Sequence, residues 1–182
     1  MGNMDEKALS ELWDQHLAAE FGAKSADQAL ATMGPHPSVN HVAVMTGGIG
    51  REQLREFYTK LFLPQMPADL ETTPISRTIG QGRLVDEFIS RFTHSVQMDW
   101  LLPGIAPTGK RLEMAIVAII QFEDGKIVQE RLYWDQGSVL AQLGLIDRSL
   151  PVLGAESAQQ VRQMTQPMNE LIRSRQTQGV SS

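Results

Sequence analysis

The sequence has 182 residues, of which 42% are hydrophobic and 20% are charged, a composition typical of one globular domain and not of a disordered or fibrous chain. It contains no cysteine, which excludes disulfides, thiolate metal sites, iron–sulfur clusters and cysteine nucleophiles. With 21 acidic and 16 basic residues, a net charge of −5 and no basic stripe interleaved with aromatics, it is not expected to bind nucleic acid.

The hydropathy pattern contains no apolar run near the ~20 residues that a membrane helix requires. The segment MGNMDEKALSELWDQ is acidic, unlike the basic and then apolar segments that target a chain for export. We therefore expect a cytoplasmic protein without a membrane partner.

Two helices are predicted at the start of the chain. Asn3 and the glutamate three residues on form a capping pair, and apolar residues then recur at helical spacing for about five turns. Ser25 and Gln28 form a second capping pair. They open a short helix that the Gly-Pro pair at 34–35 must end.

A strand over 38–45 and a flexible TGGIG loop over 46–50 are expected next. The loop resembles an anion-binding turn but lacks the Lys-Ser/Thr of a phosphate loop, so we interpret it as a hinge. A third, amphipathic helix follows, which Pro64 and Pro67 end.

The remainder of the domain is predicted to be mainly strands. They are expected over 72–79, 83–100, 111–122 and 126–134, with turns at 80–82 and 123–125 and a loop at 103–109. A short helix over 138–143 closes a domain of residues 1–147. Residues 148–182 are expected to form a polar tail with an amphipathic helix interrupted by Pro167. Three helices and then strands indicate an α+β fold, with the helices packed on a curved, mostly antiparallel sheet around an apolar cavity.

Titratable residues on apolar faces are the candidates for chemistry, because burying them is costly unless they are paired or useful. His16 and Glu20 lie one turn apart on the stripe of the first helix, so they can touch. Three interpretations stay open: a structural pair, two side chains at the water-exposed edge of the apolar stripe, or a catalytic pair. His41, on the first predicted strand, is likewise a structural or a catalytic histidine.

Asp86 and His94 share the even-numbered face of the predicted 83–100 strand with its aromatic residues. A rise of ~3.3 Å per residue keeps them apart, so they would address different ends of a pocket. We predict that the ligand pocket is lined by aromatic residues and a methionine: Trp13, Tyr58, Phe88, Phe92, Trp100, Met114 and Trp134.

Glu130 is the only acid on the apolar face of the last hairpin if 123–125 is a three-residue loop that pairs Phe122 with Lys126. A two-residue turn would reverse that face. Apolar surroundings would raise the pKa of Glu130 and suit it to acid–base catalysis, whereas an arginine partner would make it structural.

No HExxH segment occurs and the histidines are scattered, so we expect neither a metal nor a cofactor. His16, Glu20 and His41 are the alternative, as ligands of a metal ion.

The order of elements, the segment RFTHSVQMDWLLPGIAPTGKR and the ending DGKIVQERLYWDQGSVLAQLG resemble the SnoaL-like branch of the nuclear transport factor two-like superfamily over about residues 4–145. The resemblance implies a cone of three helices wrapped by a curved sheet, a deep apolar cavity, dimers and small organic ligands. Ketosteroid isomerases of that superfamily carry a carboxylate base where this chain has Asn40 or His41. SnoaL-type cyclases carry a histidine and an aspartate where it has Ala118 and Leu132.

These observations favour an enzyme without a cofactor that moves a proton beside a carbonyl of a small apolar or amphipathic molecule, as an isomerase, cyclase, dehydratase or hydrolase. The alternatives are a ligand-binding module and a dimerisation domain of the same fold. The polar outer face of the sheet and the amphipathic tail predict a homodimer.

Overall fold

The computed structural model describes residues 5–147 and 149–179, with side chains up to residue 174. Helix α1 (Glu6–Leu17) begins at Asp5, whose carboxylate accepts a hydrogen bond of 2.7 Å from the Ala8 amide. The predicted Asn3 cap lies outside the described residues, and the helix starts after Asp5 instead. A wider π-helical turn (Ala18–Gly22) continues α1. Glu20 lies in this π-helical turn, just beyond the regular part of the helix.

Helix α2 (Ala26–Ala31) begins at Ser25, whose hydroxyl accepts a hydrogen bond from the Gln28 amide, as predicted. Strand β1 (Met33–His41) follows at once, so the predicted span of 38–45 was wrong at both ends. A register shift between Met33 and Ser38 lets the strand pass through its two prolines, which cannot donate ladder hydrogen bonds.

The TGGIG segment forms a strand, β2 (Thr46–Ile49), and the expected hinge is therefore wrong. It pairs antiparallel with β1, with Gly47 opposite Asn40. A Cβ at Gly47 would lie 2.1 Å from the carbonyl oxygen of Val39, so glycine permits this close approach of the two backbones. The segment predicted as a third helix comprises α3 (Gly50–Glu56), a π-helical turn (Phe57–Phe62) and a 3₁₀ turn (Leu63–Gln65).

Four longer strands complete one sheet with the order β2-β1-β6-β5-β4-β3. They are β3 (Glu71–Gly80), β4 (Arg83–Thr93), β5 (Arg111–Glu123) and β6 (Lys126–Tyr133). Only the β1–β6 pair is parallel within the described residues. The predicted α+β class with a mostly antiparallel sheet is confirmed.

Strand β4 ends at Thr93, and the predicted strand over 83–100 was too long. Thr93 is paired with Arg111, the first residue of β5, and His94 still exchanges backbone hydrogen bonds with Lys110 and Gly109 before the chain leaves the sheet. The chain then folds back through a hydrogen bond from the Ser95 amide to the Thr93 carbonyl. His94 and Trp100 therefore lie beyond the strand whose face they were expected to share.

The hairpin between β5 and β6 has a two-residue turn at Asp124 and Gly125, both with positive φ, so the predicted three-residue loop was wrong. A register shift follows, since Phe122 pairs with Ile127 but Gln121 pairs with Gln129. The extra residue, a β-bulge, restores the alternation that the shorter turn had reversed. Glu130 thus lies on the buried face after all.

The core fills the space between the helices and one face of the sheet. It combines residues of α1, α2 and the third helix with the even-numbered positions of β4 and β5: Leu9, Trp13, Leu30, Leu54, Phe57, Leu84, Phe92, Leu112 and Ile120. The even-numbered face of these strands was predicted to be the core face.

Three helices follow β6 in the described part of the chain: α4 (Gln136–Leu143), α5 (Glu156–Arg162) and α6 (Glu170–Gly179). The single amphipathic tail helix expected from the sequence is two helices, divided around Pro167. Helices α4 and α5 both pack against β5. Among the described residues, no helix is both long enough and apolar enough to cross a bilayer. The domain boundary at 147 remains a prediction.

Candidate functional site

Two glutamates and a histidine meet in the interior. His16 Nε2 lies 3.0 Å from Glu20 Oε1 and 3.2 Å from Glu130 Oε1. The three side chains are almost fully buried. Helical spacing places His16 beside Glu20, whereas Glu130 arrives from β6 because that strand lies in the sheet under α1. The sequence-predicted contact between His16 and Glu20 is present.

Thr32 determines which nitrogen of His16 carries a proton. The Thr32 hydroxyl donates a hydrogen bond of 2.7 Å to the Ala29 carbonyl, so it accepts the 2.7 Å hydrogen bond from His16 Nδ1. Nδ1 is therefore protonated, and Nε2 faces the two glutamates. The Tyr58 hydroxyl lies 3.4 Å from Nε2 and is also hydrogen-bonded to Glu20.

The charges in this cluster oppose the effect of burial on the pKa of His16 and add to it on the pKa of Tyr58. Burial lowers the pKa of His16, but Glu130 and Glu20 outweigh it and raise that pKa to about 9. Burial raises the pKa of Glu130 to about 7, against the attraction of His16 and with the repulsion of Glu20. Burial and the same two glutamates raise the pKa of Tyr58 well above its ordinary value, so its hydroxyl stays protonated.

His41, the last residue of β1, lies inside a ring of aromatic side chains. Its imidazole is 5.5 to 5.7 Å, centroid to centroid, from four rings: Phe57, Phe62, Trp100 and Trp134. The Thr46 hydroxyl donates to the Trp100 carbonyl at 2.7 Å, so it accepts from His41 Nδ1 at 3.1 Å. The Trp100 carbonyl lies 3.3 Å from the same nitrogen. Nδ1 therefore carries the proton.

The other nitrogen of His41 is left with its lone pair. Nε2 has no hydrogen bond within the described residues. Burial lowers the pKa of His41 to about 4, although the Trp100 carbonyl and Glu20 oppose the shift, so the ring is neutral at pH 7. A neutral imidazole with its Nδ1 proton held in place can accept a proton at Nε2.

Two hollows adjoin these groups. The larger has a volume of about 430 Å³, and its walls are mainly apolar. The smaller, about 40 Å³, touches Glu20, Tyr58 and Glu130. Six residues line both hollows and mark where they meet: Leu17, Phe21, His41, Phe62, Phe88 and Leu132. We call the larger one the main hollow and the smaller one the inner chamber.

A larger groove of about 830 Å³ lies elsewhere, between the tail and the outer face of the sheet at Ile75 and Glu87. It contains none of the candidate catalytic residues and is bounded largely by exposed methionines and aliphatic residues of the tail. The main hollow, although smaller, is the one that borders buried titratable groups, His41 and Asp86.

Asp86 lies on the wall of the main hollow, but its carboxylate is already fully engaged. Arg77 binds both of its oxygens, at 3.2 and 2.8 Å, and Trp13 Nε1 donates a hydrogen bond of 2.9 Å. Arg77 also bridges to Asp14 at 2.8 Å. From the sequence, an arginine partner for Glu130 was the alternative to a catalytic role. In the structure Arg77 binds Asp86 instead.

His94 lies away from both hollows. Its Nδ1 accepts a hydrogen bond of 3.3 Å from the Thr108 amide, and burial lowers its pKa. Its predicted place on the pocket face was wrong because β4 ends one residue before it. Its Nε2 is buried without a partner, for which we find no structural explanation.

The seven predicted pocket residues divide into four groups. Trp13 and Tyr58 line the inner chamber, Phe92 and Trp100 line the main hollow, and Phe88 lines both. Met114 and Trp134 are among the residues that line neither hollow. Trp134 instead packs on the ring of His41.

Sequence reasoning missed Thr32, Thr46 and Arg77. No local pattern marks them, because each acts on a side chain from a different element. The structure also changes the alternative metal ligands, since His16, Glu20 and Glu130 each offer an atom within 4.8 Å of the others. His41 is turned toward Thr46 and Trp100 instead.

Comparison with known proteins agrees with this architecture. The family model for SnoaL-like polyketide cyclases matches residues 8–143. A search of curated proteins finds no match.

Several solved structures share the fold. A Jannaschia sp. CCS1 protein described as a SnoaL-like polyketide cyclase superposes with a TM-score of 0.64 and 18% identity, covering 81% of this chain and 100% of that one. A ketosteroid isomerase-like protein from Catenulispora acidiphila, in complex with trimethylamine, has a TM-score of 0.56 and 16% identity, covering 75% and 94%. TerC, co-crystallized with polyporic acid, has a TM-score of 0.55 and 14% identity, covering 75% and 98%. At these identities the structures show the fold alone, but the family match spans most of the sequence. The chain belongs to the SnoaL-like polyketide cyclase family.

Proposed function

We propose that this protein is an enzyme that holds a small, largely apolar organic molecule in the main hollow and moves a proton on it, with His41 as the base. The observation that carries the proposal is the state of His41. Its Nδ1 proton is held by Thr46 and the Trp100 carbonyl, its Nε2 is free within the described residues, and it lines the main hollow.

The proton transfer follows from this geometry. Nε2 accepts a proton from a substrate carbon next to a carbonyl, and the electron pair of the broken C–H bond moves onto the carbonyl as an enolate. The imidazolium that forms keeps its Nδ1–H directed at the Trp100 carbonyl and the Thr46 hydroxyl, both of which stabilise positive charge. Return of the proton to another atom completes an isomerisation or a cyclisation.

The walls of the main hollow support an apolar substrate. Five aromatic side chains line it: Phe21, Phe62, Phe88, Phe92 and Trp100. A volume of about 430 Å³ lies within the range of small-molecule sites. Polyporic acid with TerC and trimethylamine with the Catenulispora protein are consistent with small organic ligands in this fold.

The other candidates receive different roles in this proposal. Asp86, bound by Arg77 and Trp13, fixes one wall of the main hollow and transfers no proton. His94 lines neither hollow and is given no part in the reaction. Glu20 and Glu130 border the inner chamber and contact His16, so this cluster adjoins His41 without lining the main hollow.

Exchange of substrate hydrogens tests the proposal without knowledge of the natural reaction. The protein is incubated in D₂O with a panel of apolar ketones such as 2-tetralone, and deuterium uptake beside the carbonyl is followed by mass spectrometry. We expect catalysed exchange that falls by about 10²–10⁴-fold in His41→Gln, the range for loss of a general base.

His36→Gln is the matched control, because His36 is an exposed histidine on the same strand and should leave the rate unchanged. Binding of the ketones without exchange would overturn the catalytic proposal and favour a ligand-binding module. Circular dichroism of His41→Gln establishes that a lost rate is not a lost fold.

We also propose that the protein is a homodimer through the outer face of the sheet, as the sequence suggests. Part of that face is covered by α5, and exposed apolar residues of the tail extend the surface: Val161, Met164, Met168 and Ile172. Sedimentation at micromolar concentration should give twice the monomer mass. A monomer would contradict the proposal.

A further inference from the structure

We infer that His16, Glu20 and Glu130 form a binding site for one divalent transition-metal ion, for which Zn²⁺ is the suitable probe, beside the inner chamber. The inference goes beyond the proposed proton transfer and does not depend on it. It rests on the distances, the orientation of His16, the unsatisfied Glu130 oxygen and the inner chamber.

The distances fit a metal centre. His16 Nε2 lies 3.0 Å from Glu20 Oε1 and 3.2 Å from Glu130 Oε1, and all three atoms fall within 4.8 Å of one another. Zinc bonds of about 2.0–2.2 Å to imidazole nitrogen and carboxylate oxygen place neighbouring ligand atoms of a tetrahedral centre about 3.3–3.6 Å apart. Both carboxylates therefore need to withdraw from Nε2 by only a few tenths of an ångström to admit an ion.

The orientation of His16 directs Nε2 at this point. Thr32 accepts the Nδ1 proton, so Nε2 faces Glu20 and Glu130, and an ion bound there displaces the Nε2 proton that the raised pKa of His16 retains at pH 7. A histidine that ligates a metal characteristically donates its other N–H to an oxygen in this way. Trp13 stacks on the ring, with centroids 5.5 Å apart, and holds its plane.

The charge of the cluster leaves room for a divalent cation. Its two carboxylates face one histidine, whose raised pKa gives it a single positive charge at pH 7, and no lysine or arginine in the described part of the chain forms an ion pair with Glu20 or Glu130. Glu130 Oε1 is buried and, despite its distance of 3.2 Å from His16, has no hydrogen bond. Buried carboxylates of this kind are normally paired or coordinate metals, and a divalent ion would neutralise both.

The inner chamber supplies room for a further ligand and a route for the ion. Its volume of about 40 Å³ exceeds the ~10–15 Å³ that a single water needs, and Glu20, Glu130 and Tyr58 border it. Three protein ligands with a water in the fourth position is a common zinc arrangement. The chamber meets the main hollow at His41 and Leu132, so an ion reaches the site from that side.

Metal analysis of the full-length protein tests the inference. The protein is stripped with a chelator, reloaded with Zn²⁺ and passed through a desalting column, and bound zinc is measured by mass spectrometry and by titration calorimetry. We expect one zinc per chain and a higher melting temperature with zinc. Glu130→Gln and Glu20→Gln should each weaken zinc binding at least tenfold.

Glu113→Gln is the matched control. Glu113 is another partly buried strand glutamate, but it is paired with Arg91 at 3.0 Å and lies outside the cluster. Zinc binding should be unaffected by this change. Undiminished zinc affinity in Glu130→Gln would place the ion elsewhere and overturn the inference, as would the absence of stoichiometric binding to the wild-type protein.

Nitrogen NMR of the wild-type protein decides the question even if the variants fail to fold. Zinc should shift the Nε2 resonance of His16 while Nδ1 keeps its proton. A bound zinc that leaves the His16 resonances unchanged would refute the assignment.

Discussion

Glu130 of β6 lies opposite Ile120 of β5, although the two-residue turn between these strands would by itself pair Ile120 with the residue before it. The extra residue of the β-bulge makes the difference, because a shift of one residue exchanges the two faces of a strand. Without the bulge, the carboxylate would face away from His16. The position of Glu130 in the cluster thus depends on one irregularity in the hairpin.

The stability of the protein should depend on pH through His41. Its pKa is about 4 in the folded state against 6.5 in the unfolded chain, so between these values the unfolded state binds more protons. The free energy of unfolding should therefore fall by about 2–3 kcal/mol, through this residue, between pH 7.5 and pH 4.5. His41→Gln should remove that part of the dependence in urea titrations at the two pH values.

The exposed His36→Gln is the control for this experiment and should leave the dependence intact. Equal pH dependence in His41→Gln and the wild-type protein would show that His41 is not held neutral by burial.

Asp86→Asn should destabilise the protein. The change weakens both contacts with Arg77 and leaves that guanidinium without its buried partner. We expect a loss of about 2–3 kcal/mol in the free energy of unfolding, the scale for charged hydrogen bonds. Chemical denaturation measures it.

Asp14→Asn provides the comparison for Asp86→Asn, since Asp14 binds the same arginine but its side chain is 59% exposed. Its loss should be about 1 kcal/mol or less. Equal losses for the two variants would contradict a structural role specific to Asp86.

Bulk added at the wall of the main hollow should block ligand binding. Ala18 lines this hollow, and Ala18→Trp should fill part of it and weaken binding of 2-tetralone at least tenfold, measured by calorimetry. Ala23→Trp adds the same ring at an exposed residue outside the lining and should bind normally. Unimpaired binding by Ala18→Trp would place the ligand site elsewhere.

Gly47 in β2 should tolerate no side chain. Gly47→Ala requires a Cβ at φ +133° and 2.1 Å from the Val39 oxygen, so it should cost more than about 2 kcal/mol of stability. Gly80→Ala, where no atom lies within 4 Å of the added Cβ, should change stability little. Thermal melts compare the two, and a mild effect at Gly47 would contradict the tight pairing of β1 and β2.

Helical spacing and capping residues correctly predicted features that depend on residues three or four positions apart. The contact between His16 and Glu20 follows from one turn of helix, and the Ser25 cap follows from a hydrogen bond that spans three residues. Strand lengths were less accurate. The end of β4 depends on where its neighbour β5 begins, and a strand cannot reveal the extent of its partner.

Periodicity and composition predicted the fold class and the apolar face that carries Asp86, because both are properties of the chain alone, and the family followed from the resemblance of two segments. For His41, His16 and Glu20 the pattern left the orientation open, and only the folded chain shows which of these groups meet. Glu130 joins His16 only after a bulge sets its face, Asp86 is engaged by Arg77, and His94 is turned away where its strand ends. Such pairings arise between residues distant in sequence, and their geometry exists only when the sheet has formed around the helices.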